Sequence, residues 1–152
     1  MKRLTIAVWA VFLAAMLAAP ALGASASVKV TQVAASGSGT PVTIDPKLKA
    51  VEKTLTNTFK FSKYAVVSQK TSSVSQGATA PWKLDNGSFL DVTFVATDGK
   101  IFTITVEVYT QSGGKRKSIM KVTVKRPKGG SVIYKVGKRK SGETLILVIK
   151  AS

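Results

Sequence analysis

Apolar and polar residues alternate with a period of two along most of the chain, which predicts β-strands. In the segment 101–108 the apolar side chains share one face and the polar ones the other: Phe102, Ile104, Val106 and Val108 alternate with Thr103, Thr105 and Glu107. The segment 115–128 repeats this pattern, since Met120, Val122 and Val124 share the face opposite Lys121 and Lys125. Strands of this kind have one face in the core and one in solvent.

Further strands are predicted in 27–36, 59–69, 80–84, 88–97 and 131–136. Turns that carry glycine, such as Asn86-Gly87 and Gly113-Gly114, separate the later strands at roughly ten-residue spacing. The last run, TLILVIKAS, is almost continuously apolar, as expected of a central strand covered on both faces. Seven to eight such strands predict a mainly β fold, either an antiparallel sandwich or a partly open barrel.

One N-terminal helix is predicted near 46–58. Asp45 suits the N-cap position, and Pro46 suits the first helical position. Apolar residues then recur at helical spacing, in the order Leu48, Val51, Leu55 and Phe59. We expect this helix to pack on one face of the sheets or to close one open end.

The first 24 residues have the layout of a bacterial export signal. A short basic start, MKR, precedes the apolar run LTIAVWAVFLAAMLAA, and Pro20 and small residues follow. Cleavage after Gly23, Ala24 or Ala26 fits the small-residue rule, while an uncleaved membrane anchor is the alternative. We therefore expect a single β-rich domain, 25–152, in the periplasm or outside the cell, with no stable membrane span after cleavage.

The composition excludes several classes of chemistry. The chain has no histidine, the usual general base near neutral pH and the commonest metal ligand. It has no cysteine either, which excludes disulfides, thiol catalysis and thiolate metal sites. No glycine-rich loop opens a helix in the manner of nucleotide-binding proteins. We therefore expect a non-enzymatic protein without catalytic residues, cofactor or metal.

Two acidic residues are the candidates for an alternative function as a carboxylate-dependent hydrolase. Asp91 and Glu107 lie on the polar faces of neighbouring predicted strands, so their carboxyl groups are candidates for a hydrolase pair. The simpler interpretation is that each of them pairs with a nearby lysine, such as Lys100 or Lys121.

Positive charge is concentrated in the second half of the chain. Of the 23 basic residues, 21 follow residue 24 together with all seven acids, so this part has a net charge of +14. No acid occurs between Glu107 and Glu143. If this region is a continuous meander, the two KRK runs share one sheet edge. The candidate polyanion-binding residues are Lys115, Arg116, Lys117, Lys121, Lys125, Arg126, Lys128, Lys138, Arg139 and Lys140.

Such a surface attracts anions at long range. The hypothesis is an envelope or extracellular accessory module that binds anionic envelope polymers, lipopolysaccharide or extracellular nucleic acid without sequence specificity. One alternative is that the lysines keep a β-rich protein soluble and protect its strand edges. Another is a structural subunit or a protein partner that docks through a sheet edge.

The order of these segments resembles a group of small secreted bacterial β-domain proteins. The resemblance rests on Val28 and Val30, the helix 45–55, the aromatic-rich segment 59–67, the hairpin 84–92 and the terminal strand 144–152. It implies a small exported β domain, and it implies no catalytic or binding residues.

Overall fold

The computed structural model describes residues 23–152, which form nine strands in two sheets and one short helix. The strands are β1 (Ser25–Ser36), β2 (Thr43–Ile44), β3 (Lys63–Ser75), β4 (Thr79–Lys83), β5 (Phe89–Thr97), β6 (Ile101–Ser112), β7 (Lys115–Pro127), β8 (Ser131–Lys138) and β9 (Thr144–Ala151). The five-stranded sheet has the order β2-β3-β1-β9-β8, and the four-stranded sheet has the order β4-β5-β6-β7. This arrangement confirms the predicted mainly β, sandwich-like fold, with nine strands where seven to eight were predicted.

The helix lies where it was predicted. A 3-10 turn, Pro46–Val51, continues directly into the α-helix α1, Glu52–Thr58. The Asp45 carboxylate caps the first turn by accepting a hydrogen bond from the backbone N–H of Lys47 at 2.9 Å. Leu48 and Leu55 are fully buried against the five-stranded sheet, so the helix covers a sheet face and does not close an end.

The five-stranded sheet is therefore buried on both faces. On β9, Leu145, Leu147 and Ile149 point into the core between the sheets, while Ile146 and Val148 point towards the helix. This strand is covered on both faces, which explains its unbroken apolar run, as predicted.

The four-stranded sheet is buried on one face only. Its inner face contributes Leu90, Val92 and Phe94 of β5 and the matching apolar residues of β6 to the core. Its outer face is polar and includes a row of four threonines across the strands, one from each in register: Thr79, Thr93, Thr105 and Thr123. The alternation of apolar and polar residues in these strands thus corresponds to a sheet with one solvated face.

The prediction of a continuous late meander is wrong. β7 pairs only with β6, and β8 pairs only with β9, so the two strands lie in different sheets. The short turn 128–130 carries the chain from one sheet to the other. The strand predicted over 59–69 also differs, because β3 begins at Lys63 and extends to Ser75 as the neighbour of β1.

Most of the predicted export signal, residues 1–22, lies outside the described residues. Within residues 23–152, no helix has the length and apolar character needed to cross a membrane.

Candidate anion-binding surface

Two edge strands carry most of the predicted anion-binding residues. β7 ends the four-stranded sheet and β8 ends the five-stranded sheet, and the turn that joins them keeps both on the same side of the sandwich. Both KRK runs lie at the end of the sandwich that holds the β4–β5 turn. Arg139 reaches Asp85 of that turn, while residues 112 and 115 pair just beyond the β5–β6 partners Phe89 and Tyr109. The runs share an end of the molecule and belong to different sheets.

The first run is anchored by its central arginine. Arg116 Nη2 lies 2.9 Å from Asp91 Oδ2 and 2.8 Å from Glu107 Oε2. Its guanidinium carbon lies 3.5 Å from the ring centre of Tyr109, which stacks in turn on Phe89. Desolvation alone lowers the pKa of Arg116, but the hydrogen bonds to Asp91 and Glu107 outweigh it and the pKa is raised.

The second run is anchored in the same way. Arg139 Nε donates to Asp85, and Arg139 Nη1 lies 2.7 Å from Glu143 Oε1. The hydrogen bond to Asp85 is the main cause of the raised pKa of Arg139. The backbone of this arginine closes the turn as well, because its N–H donates to the carbonyl of Glu143 at 2.8 Å.

Among the described residues, Arg116 and Arg139 make every ion pair. The backbone occupies two more acids: Asp45 caps the helix, and Asp98 accepts from the N–H groups of Lys100 and Ile101. These two bonds, with that of Ile101 the stronger, lower the pKa of Asp98. All 18 lysines in residues 23–152 therefore lack a carboxylate partner within 4.0 Å.

The lysines of β7 are the most concentrated of these. Lys115, Lys117, Lys121 and Lys125 are all exposed, and the same is true of Lys128 in the following turn. Burial raises the pKa of the Tyr134 phenol on β8, and the positive charge of Arg126 partly offsets this rise. The two edge strands do not pair with each other, since they belong to different sheets.

One basic cluster was missed by the sequence reasoning. Lys83 of β4 and Lys140 of the second run line a common groove of about 520 Å³ together with Gln32. The side chain of Gln32 holds the two sheets together at this point, since it donates to the Lys83 carbonyl and accepts from the Asp85 N–H. No sequence signal links Lys83 to Lys140, because the link arises only from the packing of β4 against the five-stranded sheet.

The two carboxylates of the enzymatic alternative do lie together. Asp91 and Glu107 are directly opposite each other on β5 and β6, beside a groove of about 340 Å³ that Lys121 also lines. Both carboxylates pair with Arg116 and not with Lys100 or Lys121, so the predicted pairing with a lysine is wrong. Residues 23–152 contain no group of three or more acidic, histidine or cysteine side chains that would hold a metal ion.

Comparison with known proteins gives no match: no family model, no curated protein and no solved structure is significantly similar to the chain.

Proposed function

We propose that the protein is an exported, non-enzymatic accessory module of the bacterial envelope or the extracellular space that associates electrostatically with anionic surfaces or polymers. The observation that supports this proposal most directly is that the arginines pair with acids and the lysines do not. Two arginines neutralise four of the seven acids, and the 18 lysines of residues 23–152 have no acidic partner within that range. Lysine ammonium groups act as hydrated point charges, which suits contact with many anions and not the shape-specific recognition of one.

The position of the lysines supports the same conclusion. A net charge of +14 on residues 25–152 attracts anions from every side. Beyond the irregularity at Ile119, Lys115 and Lys117 lie on the other face of β7. Lys121 and Lys125 lie on the outer face and add a local surface where two charges of a linear polymer find cationic partners. The polar row of threonines beside them lets a hydrated polymer approach without burying apolar groups.

Retention on immobilised heparin and on vesicles of anionic lipid tests the proposal. We expect binding at low salt and release below roughly 0.5 M salt, because screening removes interactions between exposed charges. With duplex DNA, each neutralised phosphate should add about −0.9 to the slope of log affinity against log salt. Absence of retention at low salt would contradict the proposal.

Two variants of equal charge identify the surface. One replaces Lys115, Lys117, Lys121 and Lys125 with glutamine, and the other replaces Lys47, Lys49, Lys53 and Lys60 of the helical region. All eight side chains are exposed in the folded protein. We expect the first variant to elute at clearly lower salt than the second. Equal shifts would mean that total charge governs retention and that β7 is not a distinct surface.

Export is tested separately. The full chain is expressed in a bacterium, and the N-terminus of the exported product is determined by mass spectrometry. We expect it to start at residue 24, 25 or 27, after one of the three small residues that fit the cleavage rule. A product that keeps Met1 would contradict removal of the signal.

A further inference from the structure

The two lateral sides of the sandwich are closed to different degrees. On the side of β3 and β4, Val74, Trp82 and Leu84 are buried and close the core. On the side of β7 and β8, Val132 is buried, but the other residues that face the core are only partly buried: Met120, Val122, Val124, Tyr134 and Val136. The core is thus incompletely covered beside β7.

The backbone of β7 is also free on this side. Its residues pair with β6 along one edge, from Lys115 to Pro127, and no strand of residues 23–152 pairs with the other edge. An unpaired edge presents alternate N–H and C=O groups to an incoming strand. The irregularity at Ile119 and the proline at 127 limit the regular stretch to 120–126.

The charges next to this edge disfavour a second copy of this protein and favour an acidic strand as its occupant. Lys121 and Lys125 flank Thr123 on the outer face of β7, and Arg126, Lys128 and Lys135 lie close by in the chain without any acid among them. A second copy of this protein would place lysine against lysine, and like charges on neighbouring strands destabilise a pair. A strand with acidic residues at alternate positions would place carboxylates against them.

We propose that the free edge of β7 binds an extended, acidic segment of a partner protein as an added strand. Its carboxylates pair with Lys121 and Lys125 on the outer face. Its alternate, apolar side chains cover Met120, Val122 and Val124 on the inner face. This proposal concerns a protein ligand and a backbone ladder, so it does not depend on binding to anionic polymers.

The test uses the folded chain and a fluorescent peptide of about seven residues, the length of a typical strand, in which glutamate and valine alternate. Two further peptides of the same sequence carry backbone N-methyl groups on one or the other set of alternate residues. In an antiparallel pair only one set of N–H groups points at the partner strand. We expect methylation of that set to weaken binding at least about tenfold, and methylation of the other set to leave it unchanged.

Charge variants complete the test. The double variant Lys121→Gln/Lys125→Gln should weaken binding of the unmodified peptide, while Lys49→Gln/Lys53→Gln on the helix should not. Equal affinity of all three peptides would overturn the added strand while leaving polymer binding intact. Absence of binding by the unmodified peptide at low salt would overturn it as well. Retention on heparin, measured in parallel, reports on the proposed function alone.

Discussion

The five-stranded sheet is covered on both faces, by the helix and by the second sheet, whereas the four-stranded sheet is covered on one face only. β9 therefore has buried side chains in both directions, while β5, β6 and β7 alternate between core and solvent. Both sheets contribute buried residues to the core between them, and only the four-stranded sheet has in addition a polar outer face on which substitutions should cost little.

The largest effect should come from the doubly covered sheet. Leu147 of β9 is fully buried in the core, so Leu147→Ala should lower the free energy of unfolding by about 2–5 kcal/mol. Val124→Ala on the partly covered β7 is the comparison, with an expected loss of about 1 kcal/mol, because it removes one carbon atom fewer from a site that is only partly buried. Urea denaturation measures both, and equal losses would contradict the contrast between the sheets.

A second prediction concerns the helix side of the five-stranded sheet. The buried hydroxyl of Tyr64 donates to the carbonyl of Phe59 at 3.0 Å and accepts from the N–H of Phe61 at 3.3 Å, which fixes the chain after the helix. Tyr64→Phe should cost about 1 kcal/mol, because it removes the partner of the partly buried Phe59 carbonyl and Phe61 N–H.

The control is Tyr134→Phe on the open side of the sandwich. Tyr134 is half-buried, and its hydroxyl makes no hydrogen bond to the described residues. Thermal and urea unfolding of this variant should match the wild type within about 0.5 kcal/mol. A loss as large as that of Tyr64→Phe would show that the two sides are equally constrained.

On the open face, a third prediction addresses Arg116. Arg116→Gln leaves Asp91 and Glu107 facing each other without their shared cation, and like charges directly opposite destabilise a sheet. We expect a decrease of a few degrees in the melting temperature at neutral pH, since exposed ion pairs contribute little.

Arg126→Gln is the control for this variant. Arg126 makes no ion pair with the described residues, so its removal should leave the melting temperature nearly unchanged. If both variants behave alike, the bridge between the two carboxylates has no measurable role in stability.

The smallest effect is expected at the turn between β5 and β6. Two backbone N–H groups, first that of Ile101 and then that of Lys100, lower the pKa of Asp98 below its ordinary value of 3.8. A carboxylate with a lowered folded pKa stabilises the fold above its unfolded pKa, and this contribution is lost as the pH falls through the folded value. A carboxyl-detected NMR titration should give a midpoint below 3.8. A midpoint at or above that value would contradict the turn geometry.

Several features of the fold and of the surface could be predicted from the sequence. The alternation in 101–108 and 115–125 identified the inward residues of β6 and β7, and Asp45 with Pro46 identified the start of the helix. The same alternation placed Asp91 and Glu107 on the polar faces of neighbouring strands, and the structure shows that they lie directly opposite each other. The partner of these acids did not follow, because Arg116 reaches them only through the irregular pairing of β7 with β6 near Tyr109.

By itself, the sequence determined the fold class, the inward residues of the regular strands such as β6, and which strand is covered on both faces, because these properties depend on local periodicity and turn residues. Only the tertiary structure decided that β7 and β8 belong to different sheets, that Arg116 and Arg139 pair with four of the acids, and that Lys83 and Lys140 line one groove. The physical reason is that sheet membership and ion pairing depend on contacts between residues far apart in the chain. A local pattern of residues is compatible with more than one such arrangement.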